Sequence, residues 1–211
     1  MNGTVILAAG DFPRKGGAAW KLLVGATRVV ACDSAADAYR RRFRKWPTVI
    51  IGDLDSFSRP NLFPVSCSLV PVSDQETNDL TKAVHYATEN FPDETRIHIL
   101  AATGRSEAHT IGNVSLLMEY AKSFPQLEID MVSDYSTIFA MTDSDTLHIG
   151  EGRRISIFSP DPTLRVKSTG LRWKTDNVVF DNWWKASLNV ADDDAVKLEF
   201  NHKSLALVIL D

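Results

Sequence analysis

A chain of 211 residues, 44% hydrophobic and 24% charged, has the composition of a globular protein with a buried core, in one large domain or two small ones. Its net charge of −4 offers no electrostatic footprint for nucleic acid or an anionic membrane, so neither is expected as a partner; a polyphosphate would have to be held by local donors or metal ions. Cys32 and Cys67 make no disulfide framework, no segment reaches membrane-span length and MNGTVILAAG lacks a basic signal region, so a cytoplasmic protein is expected.

Residues 4–9 (TVILAA) read as a buried strand that runs into the turn Gly10-Asp11-Phe12-Pro13. Residues 28–32 (RVVAC) are a second strand, followed by a helix over 35–44, and residues 48–51 (TVII) a third that stops at Gly52. A short strand at 67–71 precedes a helix over 79–89, where Leu80, Ala83, Val84 and Ala87 recur at helical spacing. Residues 96–100 (RIHIL) form a strand, 108–123 a long helix and 127–132 a sixth strand. Continuous apolar strands alternating with helices indicate a parallel sheet covered on both faces. From about residue 142 the pattern changes to period-two strands and turns, with RRISIFS, VKLEF and LALVIL, and no amphipathic helix of useful length. The expected fold is a three-layer α/β domain over 1–138 followed by a small antiparallel β-sandwich over 139–211. The basic run Arg40, Arg41, Arg42, Arg44 and Lys45 falls in a last helical turn, where cations suit the helix dipole, and reads as a solvated helix end.

Three blocks carry chemistry. In Ile50-Ile51-Gly52-Asp53-Leu54-Asp55-Ser56 a strand delivers two carboxylates, two residues apart, to its carboxyl end. In extended backbone both point the same way, toward the sheet edge where open α/β sheets bind ligands, and hard oxygen ligands there suit Mg²⁺. A polar turn, with Asp55 or Ser56 capping the next segment, accounts for the same residues. The second block, Asp74-Gln75-Glu76-Thr77-Asn78-Asp79-Leu80-Thr81-Lys82, opens a helix. Capping and the helix dipole explain some of its acids but not Lys82, which with Gln75 could reach phosphate oxygens while Asp79 faces a cation. In the third, Ala101-Ala102-Thr103-Gly104-Arg105-Ser106-Glu107-Ala108-His109-Thr110, a small-residue loop leads into a helix N-terminus suited to anions. It has neither P-loop spacing nor a dinucleotide fingerprint, and His109 alone reads as a structural hydrogen-bonding residue.

Taken in order, Gly-Asp-Leu-Asp-Ser after a strand, the Asp-Gln-Glu loop ending in Asp79 with Thr81-Lys82, then Thr-Gly and His-Thr, resemble the thiamin pyrophosphokinase family, as does the switch to a carboxyl-terminal β-sandwich. The resemblance implies transfer of the pyrophosphoryl group of ATP to the hydroxyl of thiamin, giving thiamin diphosphate and AMP. It also implies a homodimer with the thiamin site between the α/β domain of one subunit and the sandwich of the other. Asp53, Asp55 and Asp79 would then be the catalytic carboxylates around Mg²⁺. Asp33, Gln75, Lys82, Gly104, Arg105, His109 and Thr110 would serve ATP, and Ser187, Asn189 and Trp183 would serve thiamin, with Trp173 and Trp184 as further aromatics. For any one of these tryptophans, a sandwich core or dimer contact is the favoured role over stacking on a ligand.

The chain departs from the family pattern in places. Ser34 and Ala35 stand for two glycines, Asn78 for a threonine, and Leu188 is inserted in a Ser-Asn element. Aligned on His109-Thr110, Ser106 replaces an arginine and Ala108 an aspartate, while Arg105 and Glu107 keep the same spacing one residue earlier. A one-residue shift on a helix turns a side chain by about 100°. Three readings follow. The first is a working pyrophosphotransferase in which the acceptor hydroxyl attacks the β-phosphorus in line, with an aspartate of the first two blocks as base. The second is a divergent member that binds thiamin or nucleotide with weakened turnover. The third is another metal-dependent phosphotransferase or phosphohydrolase.

Overall fold

The computed structural model describes residues 3–55, 57, 64–74 and 76–211, so Ser56 and Gln75 lie outside the described residues. The chain divides into two compact units, Met1–Leu116 with Gln126–Asp134, and Leu117–Pro125 with Tyr135–Asp211.

The first unit is built on six parallel strands, β1 (Thr4–Leu7), β2 (Arg28–Cys32), β3 (Val49–Gly52), β4 (Ser68–Pro71), β5 (Arg96–Leu100) and β6 (Glu128–Val132). Their order is β6-β5-β1-β2-β3-β4. The order reverses at β1, which lies between β5 and β2, and the crevice outside the carboxyl ends of such a pair is where doubly wound sheets bind ligands. Side chains alternate across the strands, so both faces need cover. One face, with Val5, Leu7, Val29, Ala31, Ile50, Leu100 and Val132, packs with helices α1 (Ala18–Gly25) and α2 (Ala35–Phe43) through Ala19, Leu23, Ala36 and Tyr39. Helix α3 (Asp79–Asn90) packs on β1, β2 and β3 and buries Leu80, Ala83, Val84 and Ala87, the residues whose spacing predicts it. Helix α4 (Glu107–Ser123) follows β5.

Helix α1 is absent from the sequence reading, for a physical reason. It has only eight residues, its N-cap is Gly17 with no side-chain hydrogen bond, and only Ala19 and Leu23 are buried. Without a cap or a long apolar stripe, tertiary packing rather than local propensity makes it helical. The other elements of this unit match the expected ones to within one or two residues at their ends, the ordinary fraying of helix and strand termini.

The second unit carries two antiparallel sheets. One has the order β11 (Asn189–Val190), β9 (Arg154–Phe158), β13 (Ala206–Leu210), β7 (Thr137–Met141); the other is β10 (Val166–Thr169), β12 (Ala195–Phe200), β8 (Asp145–His148). Inward-facing Ile155, Ile157, Val166, Val196, Leu198 and Val208 form one core cluster, as in a sandwich of two sheets. The unit's first strand, β7, begins at Thr137, ahead of the residue-142 pattern change, because its apolar run TIFAM does not alternate.

Candidate active site

The first unit gathers three carboxylates at the carboxyl edge of its sheet. Asp33, Asp53 and Asp79 each place an oxygen within 4.8 Å of the others. Asp33 follows β2, Asp53 follows β3, and Asp79 is the first residue of α3.

Local backbone brings them together. Asp33 adopts φ 40° and donates its N–H to the Ile51 carbonyl at 2.9 Å, which ties it to the end of β3. Gly52 adopts φ 148°, and a Cβ there would stand 3.2 Å from Asp33 Cβ and from Asp79 Cγ and Oδ2. Only glycine combines that dihedral with so close an approach of two carboxyl groups. Asn78 caps α3 by accepting from Thr81 N–H at 2.8 Å, and this holds Asp79 at the positive end of the helix. Cys32 Sγ lies 3.5 Å from the Asp79 carbonyl; burial and the nearby charges of Asp79 and Asp33 push its thiol pKa far up, so it is not a nucleophile.

Asp33 is 8% exposed, and its Oδ1 has no hydrogen-bond partner among the described residues. Burial holds its pKa above the usual carboxylate range; the Ser34 N–H opposes this, and the charges of Asp79, Asp55 and Asp53 add to it. A buried carboxylate oxygen with no donor, in a trio of carboxylates, calls for positive charge. Part of that charge is internal: Lys82, with 6% side-chain exposure, sets Nζ 3.1 Å from Asp79 Oδ1. The remaining donor set fits a hard divalent cation.

The sequence-derived residues fall into two groups. Asp53 and Asp79 join the trio, as does Asp33, which had been assigned to ATP. Asp55 is not in it: it is exposed and its N–H donates to Asp53 Oδ1 at 3.3 Å. Lys82 is buried against Asp79 rather than extended toward solvent. Gln75 lies outside the described residues. Asp74 is spent on the loop, accepting from Glu76 N–H and from the Thr77 hydroxyl and N–H, bonds that hold its pKa low with the Thr77 hydroxyl foremost. Asp33 was legible in principle, since it stands one residue past a strand at the edge that carries Asp53.

The other group flanks the switch between β5 and β1. Gly104 (φ 80°) and Arg105 (φ 60°) are both left-handed, and a Cβ on Gly104 would collide with Asp11. Gly104 N–H donates to Thr110 Oγ1 at 3.1 Å, and the Thr110 hydroxyl donates to the Ser106 carbonyl at 2.8 Å. Ser106 Oγ accepts from His109 N–H at 3.3 Å and so caps α4. The His109 side chain is exposed, as are Glu107 and Ala108 in the first turn. Arg105 reaches across the switch point: its Nη1 donates to the Ala9 carbonyl at 2.9 Å and its Nε lies 3.9 Å from Asp11 Oδ1. With Ala8, Gly10, Ser34 and Arg41 it lines a cleft of about 190 Å³ outside β1.

In the second unit, both ends of the Asn189 side-chain amide are engaged within the protein. Its Oδ1 accepts from Trp173 N–H at 3.1 Å and Val190 N–H at 2.9 Å, and its Nδ2 donates to the Trp173 carbonyl. Ser187 Oγ donates to the Trp184 carbonyl at 2.7 Å. These residues fix the loops that present Trp173, Trp183 and Trp184, all more than half exposed. Trp183 meets Phe158 edge to face at 6.1 Å.

Fold and site define an α/β unit with a carboxylate cage at the carboxyl edge of its parallel strands, joined in the same chain to an antiparallel sandwich. The chain belongs to the thiamin pyrophosphokinase family. Residues 19–129 match the family's catalytic domain and residues 137–207 its substrate-binding domain. Among curated relatives it is 32% identical over 180 residues to Thiamine pyrophosphokinase 1 of Oryza sativa subsp. japonica, covering 78% of this chain and 66% of that one. To Thiamine pyrophosphokinase 3 of the same plant it is 35% identical over 156 residues, 67% of this chain and 56% of that one. The chain thus spans somewhat under two thirds of the length of the curated relatives it matches. The crystal structure of yeast thiamin pyrophosphokinase shares the fold, with TM-score 0.81 at 15% identity, covering 100% of this chain and 86% of that one.

Proposed function

We propose that this chain is a thiamine diphosphokinase, transferring the pyrophosphoryl group of ATP to the hydroxyl of thiamin to give thiamin diphosphate and AMP. The observation that carries the reading is the trio Asp33, Asp53 and Asp79, with its donorless buried oxygen, in a chain that belongs to the thiamin pyrophosphokinase family. Mg²⁺, when bound by that trio, supplies the positive charge that lets an acidic protein accept a polyphosphate and stabilises charge on the transferring group.

The chain's own residues do the rest. Asp33, Asp53 and Asp79 hold the cation side, and Lys82 fixes the Asp79 carboxylate in position through its 3.1 Å contact. Asp55, adjacent to the trio and exposed, is the carboxylate best placed to take the proton of the acceptor hydroxyl. Arg105 offers a guanidinium donor in the cleft outside β1, and the loop through Gly104 to Thr110 presents the N-terminus of α4 to anions. His109 is exposed beside them, and Gln75 belongs to the same phosphate-facing group by resemblance. In the second unit Trp183, with Ser187 and Asn189 fixing its loop, would receive the thiamin rings. On this reading the α/β region to about residue 138 handles ATP and Mg²⁺ and the sandwich from 139 handles thiamin. A homodimer completes the thiamin site, and the cytoplasm is the place of action.

The test is AMP release from ATP with Mg²⁺, with and without thiamin, with thiamin diphosphate followed directly. Thiamin-dependent production of both is the expected result. Phosphate release indifferent to thiamin would overturn the reading.

A further inference from the structure

We propose that the outer face of α2 is a second anion site, separate from the carboxylate cage, that takes a phosphate-bearing ligand of nucleotide size. Helix α2 leads away from Asp33 for nine residues, about 13 Å of axis, so its last turn stands well clear of the cage. Between residues 40 and 45 the chain places Arg40, Arg41, Arg42, Arg44 and Lys45. Among the described residues none of these five has a carboxylate ion pair, which is also true of Arg153, Arg154 and Arg165; what sets this run apart is five cations within six residues. The helix dipole favours cations at this end, but its effect is confined to the last turn and asks for no particular side-chain geometry.

The geometry here is particular. Asp37, Arg40, Arg41, Arg44 and Trp46 line a cleft of about 500 Å³, within the range of small-molecule sites. The Arg40 guanidinium is held over the Trp46 ring at 4.6 Å and that of Arg42 over Trp20 at 5.0 Å, while Trp20 stacks on Phe43. Arginines seated on aromatic faces have less conformational freedom to lose when they bind phosphate, and guanidinium groups match phosphate oxygens in pairs. In a chain of net charge −4 such a concentration of unpaired cations is a local field for an anion. Asp37 lies on the same helix face one turn before the arginines, and Trp46 stands beneath Arg40. The site therefore takes a phosphate ester or a bare polyphosphate that shares its charge.

The test exploits the difference between the two sites. In EDTA the carboxylate cage repels polyphosphates, and the α2 cleft does not. Calorimetric titration of the intact chain in EDTA with ATP and, separately, with inorganic tripolyphosphate should show saturable binding that weakens with added salt. Arg44→Gln should weaken it on the order of tenfold, and Arg40→Gln with Arg44→Gln further. Both side chains lie at an exposed helix end, so an unchanged thermal midpoint certifies the fold. Asp53→Asn should leave this binding intact, which separates it from the reading of the cage. Binding of ATP alone would show that the nucleoside part is read along with the phosphates; equal binding of tripolyphosphate would assign recognition to the arginines only. No saturable binding of either in EDTA, or binding indifferent to Arg40 and Arg44, overturns the proposal.

Discussion

Two carboxylate centres in this chain are built in opposite ways. At the sheet edge of the first unit, Asp33 is buried, lacks a donor on Oδ1 among the described residues and has a raised pKa. In the second unit, Asp161 accepts from Thr163 N–H at 2.8 Å, from the Thr163 hydroxyl at 2.6 Å and from the Ser204 hydroxyl at 2.8 Å, and lies 2.9 Å from His202 Nε2. These bonds, the Thr163 hydroxyl foremost, hold its pKa far below the carboxylate range. Asp161 is satisfied by the protein and ties the loop after β9 to the turn before β13. Asp33 Oδ1 is left without a donor among the described residues, at a cost to stability, as the cation-binding role proposed for it requires.

The sharpest way to break this comparison is to exchange charge within the cage. Asp33→Asn and Asp53→Asn should each lower Mg²⁺-dependent AMP release by at least about a hundredfold. Asp55→Asn separates two ideas. If Asp55 is a metal ligand, as the resemblance implies, Mg²⁺ protection against thermal unfolding disappears with it. If Asp55 acts on the acceptor hydroxyl, turnover falls while that protection stays. Asp33→Asn should also raise the thermal midpoint of the metal-free chain by a few degrees even as it destroys turnover, because it removes an uncompensated buried charge. A metal-free midpoint that falls would show that the charge is already compensated.

Gly52→Ala attacks the same centre through the backbone. It forces a side chain into φ 148° and against Asp33 and Asp79, with an expected loss of about 1–3 kcal/mol and weaker Mg²⁺ protection. Denaturant unfolding with and without Mg²⁺ measures both, and an unchanged midpoint would remove the glycine from the argument.

These effects also mark what the sequence could reveal. Elements whose apolar spacing is long and regular, such as α3 and β1 to β3, are readable because burial and local propensity agree. The carboxylates at strand ends are readable as an edge. Which of them converge is not, because that depends on left-handed backbone at Asp33 and on the missing Cβ of Gly52, which are tertiary facts. The Ser187-Asn189 element reads as ligand-facing, yet Asn189 is a clamp on Trp173, since composition does not say where a side-chain amide spends its bonds.

The pH dependence of the two centres should be opposite in sign. Asp161 has a lowered pKa, so its stabilising bonds are present above the ordinary carboxylate range and are lost as pH falls toward its own lower value. Asp33 has a raised pKa, so its contribution is fullest in acid and is lost as pH rises through that value. Asp161→Asn should therefore lower the thermal midpoint by a few degrees at pH 7 and flatten the acid limb of the stability profile, leaving the metal-free rise toward acid from Asp33 in place. Melting curves of the two variants from pH 3 to 8 in EDTA check this. Parallel profiles would mean that Asp161 is not the acid-sensitive tie.

The smallest effect concerns the two family positions that this chain lacks. Ser106 stands where the resemblance implies an arginine, and it caps α4 through His109 N–H. Ser106→Ala should cost about 1 kcal/mol, the usual worth of a cap. Ser106→Arg would lose that cap while adding a second guanidinium beside Arg105, which already bridges to Ala9 and Asp11. Restoring arginine at 106 together with aspartate at 108 should thus destabilise the chain slightly and leave kcat/KM for ATP within about twofold. A large gain in kcat/KM would instead show that Arg105 and Glu107, displaced by one residue, fill the family's roles poorly.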